Sequence, residues 1–243
     1  MILPGGPSQH VVSLHVKEFG YRPDEPSLLT DLSLAVGEAE LVGLMGPNGS
    51  GKSTLLYLAS GEIMSPTVQR VLTCAEGQIS FVYQDYRHTL FPWKTAKANM
   101  QLPGRLRGRQ PGSLLSAVEA LSSTFELGFD LDRYPFELSG GEQQKVCVVR
   151  ALLEAPRLLL MDEPCSAMDY GSRLVFLRNL RTSLKEKGTA CVLVSHSAED
   201  AFVFCDRLLL LSRTGRLSDA VTNCQDPDLY TENIEKVHAH FLD

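Results

Sequence analysis

Residues 41–54 read Leu-Val-Gly-Leu-Met-Gly-Pro-Asn-Gly-Ser-Gly-Lys-Ser-Thr. The first five are a continuous apolar run with turn signals on both sides: Gly37-Glu38-Ala39-Glu40 before it and a glycine-rich loop after it. Such a run suits a short strand buried on both faces. Lys52 to Ser60 then carries a helical pattern that Gly61 stops. Between strand and helix, Gly46-Pro47-Asn48-Gly49-Ser50-Gly51-Lys52-Ser53 fits G-x-x-x-x-G-K-[ST], with Thr54 following. The spacing has a mechanical cause. Glycines let backbone N–H groups turn inward around an anion and let phosphate oxygens approach closely. The helix N-terminus behind them adds partial positive charge. Lys52 is placed to reach β- and γ-phosphates, and the Ser53 hydroxyl to ligate Mg²⁺.

A second run, Leu158-Leu159-Leu160-Met161-Asp162-Glu163, ends a strand in two acids. Asp162 is placed to hold Mg²⁺ from the side opposite Ser53, and Glu163 to polarise an attacking water. Together the two segments imply a nucleoside-triphosphate site.

Working outward, strands are expected at Val11–Val16, Leu28–Val36, Ile79–Tyr83, Ala190–Ser195 and Arg207–Leu211. Helices are expected at Leu114–Leu127, Gly141–Leu153, Gly171–Lys187 and Glu199–Phe204. Strands alternating with helices argue for an α/β chain with a mainly parallel sheet. The stretch from about 90 to 145 holds Pro92, Pro103, Pro111 and Pro135 and reads as an inserted helical subdomain. Beyond Gly215 the pattern weakens, and a terminal helix is expected at Tyr230–Phe241, within a tail of about 216–243.

With 243 residues the chain can bury a substantial core as one domain, 1–243. Hydrophobic residues at 44% and charged residues at 21% exclude disorder as the main state. A net charge of −6 leaves no basic footprint for nucleic acid. No apolar run approaches a membrane span. Met1–His10 lacks the basic and apolar regions of a secretory signal, so membrane association is expected through a partner. The six cysteines form no CxxC pair and read as buried small hydrophobes in a reducing compartment.

Leu138-Ser139-Gly140-Gly141-Glu142-Gln143-Gln144 decides the class. Two glycines after a serine, opening a helix, make a second anion-binding N-terminus. One site does not need two such loops; a site shared between two chains does. Over about Val11 to Ser212 the sequence resembles the ATPase subunits of ATP-binding-cassette (ABC) transporters. The resemblance implies a P-loop NTPase fold with a mainly parallel central sheet, an N-terminal antiparallel β subdomain and an inserted α-helical subdomain. It implies ATP and Mg²⁺ as ligands and a dimer that closes around two Mg-ATP. It further implies that Gln84 matches the Q-loop glutamine, touching Mg²⁺ or the attacking water, and that His196 matches the switch histidine on the γ-phosphate. Ser139, Gly140 and Gly141 would serve the nucleotide of the other chain. Ser166-Ala167-Met168-Asp169 is similar to the D-loop, with Asp169 at the dimer seam. Tyr21 lies where the family places an aromatic on adenine, with Phe19 as competitor. The resemblance thus makes Glu163, His196, Gln84 and Lys52 catalytic, and Ser53, Gln84 and Asp162 metal ligands. Gly46 to Thr54 are nucleotide contacts.

Some positions depart from the family pattern. Lys145 stands where arginine is usual, which keeps charge and loses the bidentate fork. Ser197 stands where aspartate commonly follows the histidine. Ala39-Glu40 replaces the usual Gly-Glu turn. The 32 positions from Lys52 to Gln84 look short, which suggests a trimmed strand-loop segment. Leu90-Phe91-Pro92-Trp93-Lys94-Thr95 and Tyr134-Pro135-Phe136-Glu137 look like the nitrate/sulfonate/taurine importer subfamily. Trp93 is then expected near the surface that grips a membrane subunit. The expected function is that of an importer ATPase subunit on the cytoplasmic face of the membrane. Its partners would be a second ATPase subunit, integral permease subunits and, indirectly, a solute-binding protein. The alternatives are the ATPase of an exporter or lipid-release system, or a soluble non-transport member.

Overall fold

The molecule is described from a computed structural model, which covers residues 10–22, 24–226, 231, 233–235 and 237. The strand Leu41–Met45 lies at the heart of a six-stranded sheet. In chain order the strands are β1 (His10–Phe19), β2 (Leu29–Gly37), β3 (Leu41–Met45), β4 (Val68–Leu72), β5 (Ile79–Val82), β6 (Leu158–Asp162), β7 (Ala190–Val194), β8 (Arg207–Leu211) and β9 (Leu217–Thr222). The large sheet runs β5-β6-β7-β3-β8-β9; every pair in it is parallel except β8-β9. A separate antiparallel sheet has the order β2-β1-β4. The expected fold class is present in both parts.

The all-apolar strands are explained by their two buried faces. Leu41 and Met45 of β3, Leu159 and Met161 of β6, and Leu208 and Leu210 of β8 join one core. Their alternates Val42, Leu44, Leu158, Leu160, Leu209 and Leu211 join the other. Period-two alternation sends neighbouring side chains to opposite faces. On the second face, α1 (Lys52–Ser60) contributes Leu55, Leu56, Leu58 and Ala59 against the small sheet. On the first lie α3 (Ala96–Leu106), α4 (Pro111–Thr124), α5 (Gly140–Leu152), α6 (Tyr170–Lys187) and α7 (Ala198–Phe204). The remaining helix, α2 (Tyr86–Thr89), is a single turn packed on α5.

Four elements escaped the sequence reading. Pro103 reads as a breaker, yet it sits inside α3, whose buried face is Ala96, Asn99, Met100 and Gly104. Burial against α5 outweighs the lost backbone bond. The strand β4 carries the mixed pattern Val-Gln-Arg-Val-Leu and exists by pairing with β1. The weak region beyond Gly215 contains β9, created by antiparallel pairing with β8. The turn α2 is too short to show a period. The 32 positions between Lys52 and Gln84 hold α1, β4 and β5 with short connections. The terminal helix expected at Tyr230–Phe241 lies largely outside the described residues, which include neither of its two end positions.

Candidate nucleotide site

The loop after β3 wraps the start of α1. Gly51 is the N-cap with φ 100°, a left-handed conformation that disfavours a side chain, and a Cβ there would lie 2.7 Å from Leu29 Cδ2. Lys52 is 7% exposed, and its ammonium donates to the carbonyls of Gly46 (2.9 Å) and Pro47 (3.0 Å). Burial pushes its pKa down, while Glu163 and Asp162 push it back up. An ammonium held among loop carbonyls and two carboxylates is ready to take an anionic oxygen in their place.

Asp162 ends β6 and is 1% exposed. Neither carboxylate oxygen has a well-formed hydrogen bond. Burial and the neighbouring Glu163 raise its pKa, while the adjacent Ser53 hydroxyl, Lys52 and His196 oppose the rise. A buried, under-satisfied carboxylate beside a hydroxyl is costly alone and fits a hard divalent cation with oxygen ligands. The residues present therefore fit Mg²⁺.

Glu163, the next residue, has φ 49°, left-handed and unusual for a non-glycine residue. Its N–H donates to Val194 O at 3.1 Å, and its Oε1 lies 2.6 Å from His196 Nε2. Strand β7 thus positions both: it holds the Glu163 backbone and delivers His196 just past its own end. A cleft of about 540 Å³ is lined by Leu28, Asn48, Gly49, Gly51, Lys52, Ser53, Thr54, Gln84, Glu163 and His196. The structure therefore brings the phosphate loop, Gln84, Glu163 and His196 together. Tyr21 stands at the edge, 61% exposed, with its hydroxyl 3.0 Å from Thr54 Oγ1. Phe19 is buried and meets Tyr21 edge-on at 5.3 Å, which leaves Tyr21 as the outward ring.

Ser139, Gly140 and Gly141 do not line this cleft. They open α5, where Ser139 Oγ accepts from Glu142 N and Glu142 Oε2 accepts from Ser139 N, a reciprocal cap. Asp169 is the N-cap of α6, and hydrogen bonds from the Ser172 N–H hold its carboxyl below the usual range. Two departures have local compensation. Ser197 caps α7 by accepting from Asp200 N, and Lys145 Nζ lies 6.0 Å from the centre of the Phe176 ring.

Two functional supports were missed. Gln144 is 1% exposed; its side chain donates to Ser166 Oγ (2.9 Å) and accepts from Ala167 N (2.9 Å), tying α5 to the loop after Glu163. Asn99, fully buried, accepts from Phe91 N and donates to the carbonyls of Phe91, Lys94 and Thr95. It thereby shapes the turn presenting Trp93, which is 69% exposed. Amide side chains carry no periodicity, so only their three-dimensional partners reveal them. Trp93 packs edge-on to Phe91, and Tyr134 stacks on Phe136. The Ala96 N–H bond to Arg133 O brings the two loops together. Among the described residues no helix is long and apolar enough to cross a membrane.

A glycine-rich loop between a buried strand and a helix, faced by an Asp-Glu strand end in a parallel sheet, defines a P-loop nucleotide-binding protein. The family model for ABC transporters matches residues 29–166, more than half of the chain. The chain belongs to the ABC transporter family, whose ATP-binding proteins are ATPases. It is 36% identical over 217 residues to the aliphatic sulfonates import ATP-binding protein SsuB 1 of Rhodococcus jostii (strain RHA1), covering 88% of this chain and 84% of that one. It is 32% identical to the aliphatic sulfonates import ATP-binding protein SsuB of Bacillus licheniformis, covering 85% and 81%. Among solved structures it is similar to the ATP-binding cassette MJ0796 in a dimeric post-hydrolysis state bound to ADP and Pi. There the TM-score is 0.75 at 25% identity, covering 86% of this chain and 98% of that one.

Proposed function

We propose that the chain is the ATP-hydrolysing subunit of an importer of the nitrate/sulfonate/taurine type. Two copies would close around two Mg-ATP at the cytoplasmic face of the membrane and drive uptake through separate permease subunits, fed by a solute-binding protein. The observation that carries the ATPase chemistry is the buried, under-satisfied Asp162 beside Ser53, at a cleft shared by Lys52, Gln84, Glu163 and His196. The import reading is supported by the sulfonate-import relatives and by the exposed pairs Phe91–Trp93 and Tyr134–Phe136, suited to gripping an apolar helix.

In this mechanism Lys52 and the loop N–H groups bind the phosphates, and Tyr21 stacks on adenine. Ser53, Asp162 and Gln84 would hold Mg²⁺, which when bound supplies positive charge against the phosphate oxygens. Glu163 orients water and takes its proton, and His196 holds both the Glu163 carboxylate and the γ-phosphate in line. Ser139, Gly140 and Gly141 of a second copy complete the cage. Preorganised electrostatics of this kind are usually the largest catalytic contribution. Glu163→Gln is expected to keep ATP binding and to lose turnover by roughly 100-fold or more, on the order of the general-base contribution. Turnover left intact would remove Glu163 from its role.

The deciding experiment is a pull-down from solubilised membranes with Glu163→Gln and ATP. An integral membrane protein together with a solute-binding protein supports import. A membrane protein without one points to export or lipid release, and a soluble partner alone rejects the transporter reading.

A further inference from the structure

The residues on either side of His196 are tied to a buried acid that does not line the nucleotide cleft. Asp200, in the first turn of α7, is 6% exposed. Its Oδ2 accepts from the Ser195 hydroxyl at 3.0 Å, and the Ser195 oxygen in turn accepts from the Ser197 N–H at 3.1 Å. The Asp200 N–H donates to Ser197 Oγ at 3.3 Å. One residue thus joins both neighbours of His196 in a ring of hydrogen bonds and leaves the imidazole outside the ring. The second carboxylate oxygen, Oδ1, is held from α6. Arg173 Nε lies 2.9 Å away, close enough for an ion pair though its N–H is not aimed for a hydrogen bond. Burial raises the pKa of Asp200, while Arg173 and the bonds to Ser195 and Ser197 oppose the rise.

Close packing does not hold this turn on its other flank. A hollow of about 290 Å³ adjoins it, lined by Ser195, His196 and Ser197 together with Cys165, Arg173 and Asp200. A hollow supplies few of the contacts that fix a side chain in a packed core, which leaves the hydrogen-bonded ring to set the turn. A buried ion pair adds little net stability, because desolvation offsets the attraction, and its best-attested use is to specify one arrangement. The arrangement at stake is narrow. His196 Nε2 lies 2.6 Å from Glu163 Oε1, and a shift of the turn by about 1 Å takes that pair beyond hydrogen-bond reach.

We infer that Asp200, held by Arg173, is a positioning residue for ATP hydrolysis: through Ser195 it sets the turn that carries His196 and keeps the imidazole on Glu163. This inference rests on the proposed roles of Glu163 and His196 and adds to them the charge pair that fixes their geometry. Neither Asp200 nor Arg173 lines the nucleotide cleft, so the effect falls on the rate of the chemical step and not on nucleotide binding.

The test measures steady-state ATP turnover by the full chain with Mg²⁺. Ser195→Thr and Ser195→Val have nearly the same shape and differ in the hydroxyl. Ser195→Val is expected to lower kcat about tenfold or more with KM within about twofold, because misplacing a catalytic group costs rate and not binding. Ser195→Thr is expected to keep kcat within about threefold, its added methyl group entering the hollow. Asp200→Asn is expected to repeat the Ser195→Val result and is the deciding variant if Ser195→Val fails to fold. In the His196→Ala background, Ser195→Val is expected to cause no further loss, since its effect passes through His196. Equal kcat for the Thr and Val variants, a rise in KM that matches the fall in kcat, unchanged kcat in Asp200→Asn, or a further loss beyond His196→Ala would overturn the inference. If the parent chain hydrolyses no ATP, or His196→Ala hydrolyses it at the parent rate, the reading of the site fails and takes this inference with it.

Discussion

Asp162 is a carboxylate that the fold buries without a full set of partners, which costs stability in the absence of a cation. Asp162→Asn removes the charge at nearly constant shape. In chelator-treated protein it is expected to raise stability by about 1 kcal/mol, a melting increase of roughly 2–4 °C for a chain of this size. Magnesium-dependent ATP turnover is expected to collapse in the same variant. A fall in melting temperature would show that the charge is well compensated already. Ala39 gives a second residue-scale case. Its φ of 53° is left-handed, and it sits where the sequence departs from a Gly-Glu turn. Ala39→Gly relieves a strain of about 1–2 kcal/mol against an unfolded-chain entropy cost of about 0.5–1 kcal/mol. The net expectation is a gain of roughly 0.5–1 kcal/mol in urea unfolding. The departure was visible in the sequence; the strain it brings is not, because backbone angles are set by how Gly37 and Glu40 close the turn.

At the scale of elements, the helical layer on the first face holds its shape through buried amides. Asn99 makes four hydrogen bonds to the Phe91–Thr95 turn from inside α3. Asn99→Ala takes the partner from Phe91 N–H and Lys94 O, while Phe91 O keeps the Lys94 N–H and Thr95 O keeps the N–H of residue 99, and is expected to cost about 2–4 kcal/mol. Amide exchange should quicken across residues 91–95, with ATP turnover by the isolated chain largely kept and membrane-subunit capture lost. Unaltered exchange there would show the turn to be set by Pro92 and Thr95 instead. The helices themselves were partly legible. Periodicity located α4, α5 and α6 to within a few residues, because each has one clear apolar face. It did not locate α3, where Pro103 and polar Asn99 and Gln101 break the pattern although those amides are buried.

Across the whole molecule, Asp206 joins parts distant in sequence. Its carboxylate accepts from Lys185 (2.6 Å) and Arg181 (2.8 Å) of α6 and from the N–H of Leu41 at the start of β3 (2.9 Å). Burial alone would raise its pKa, but Lys185, the Leu41 N–H and Arg181 outweigh it and hold the carboxyl below its usual range. A depressed folded-state pKa contributes stability above the unfolded value of about 3.9, and that stability is lost as pH falls through the folded value. Solvent reaches this carboxylate and screens its ion pairs, so Asp206→Asn is expected to cost only about 1 kcal/mol at pH 7. The deficit should shrink as pH drops below about 4. A deficit independent of pH would assign the effect to packing rather than charge. The phosphate-loop motif, the Asp162-Glu163 strand end and the α/β class were legible in the chain alone, because each rests on local spacing that the backbone converts directly into geometry, and the family was legible as a resemblance of motifs. Three-dimensional pairing sets β3 between β7 and β8 and creates β4 and β9. Folding likewise sets Asp162 beside Ser53, and Asp200 beside Arg173. Those facts depend on which segments become neighbours, and pairing or burial supplies stabilisation that no single stretch of chain carries alone.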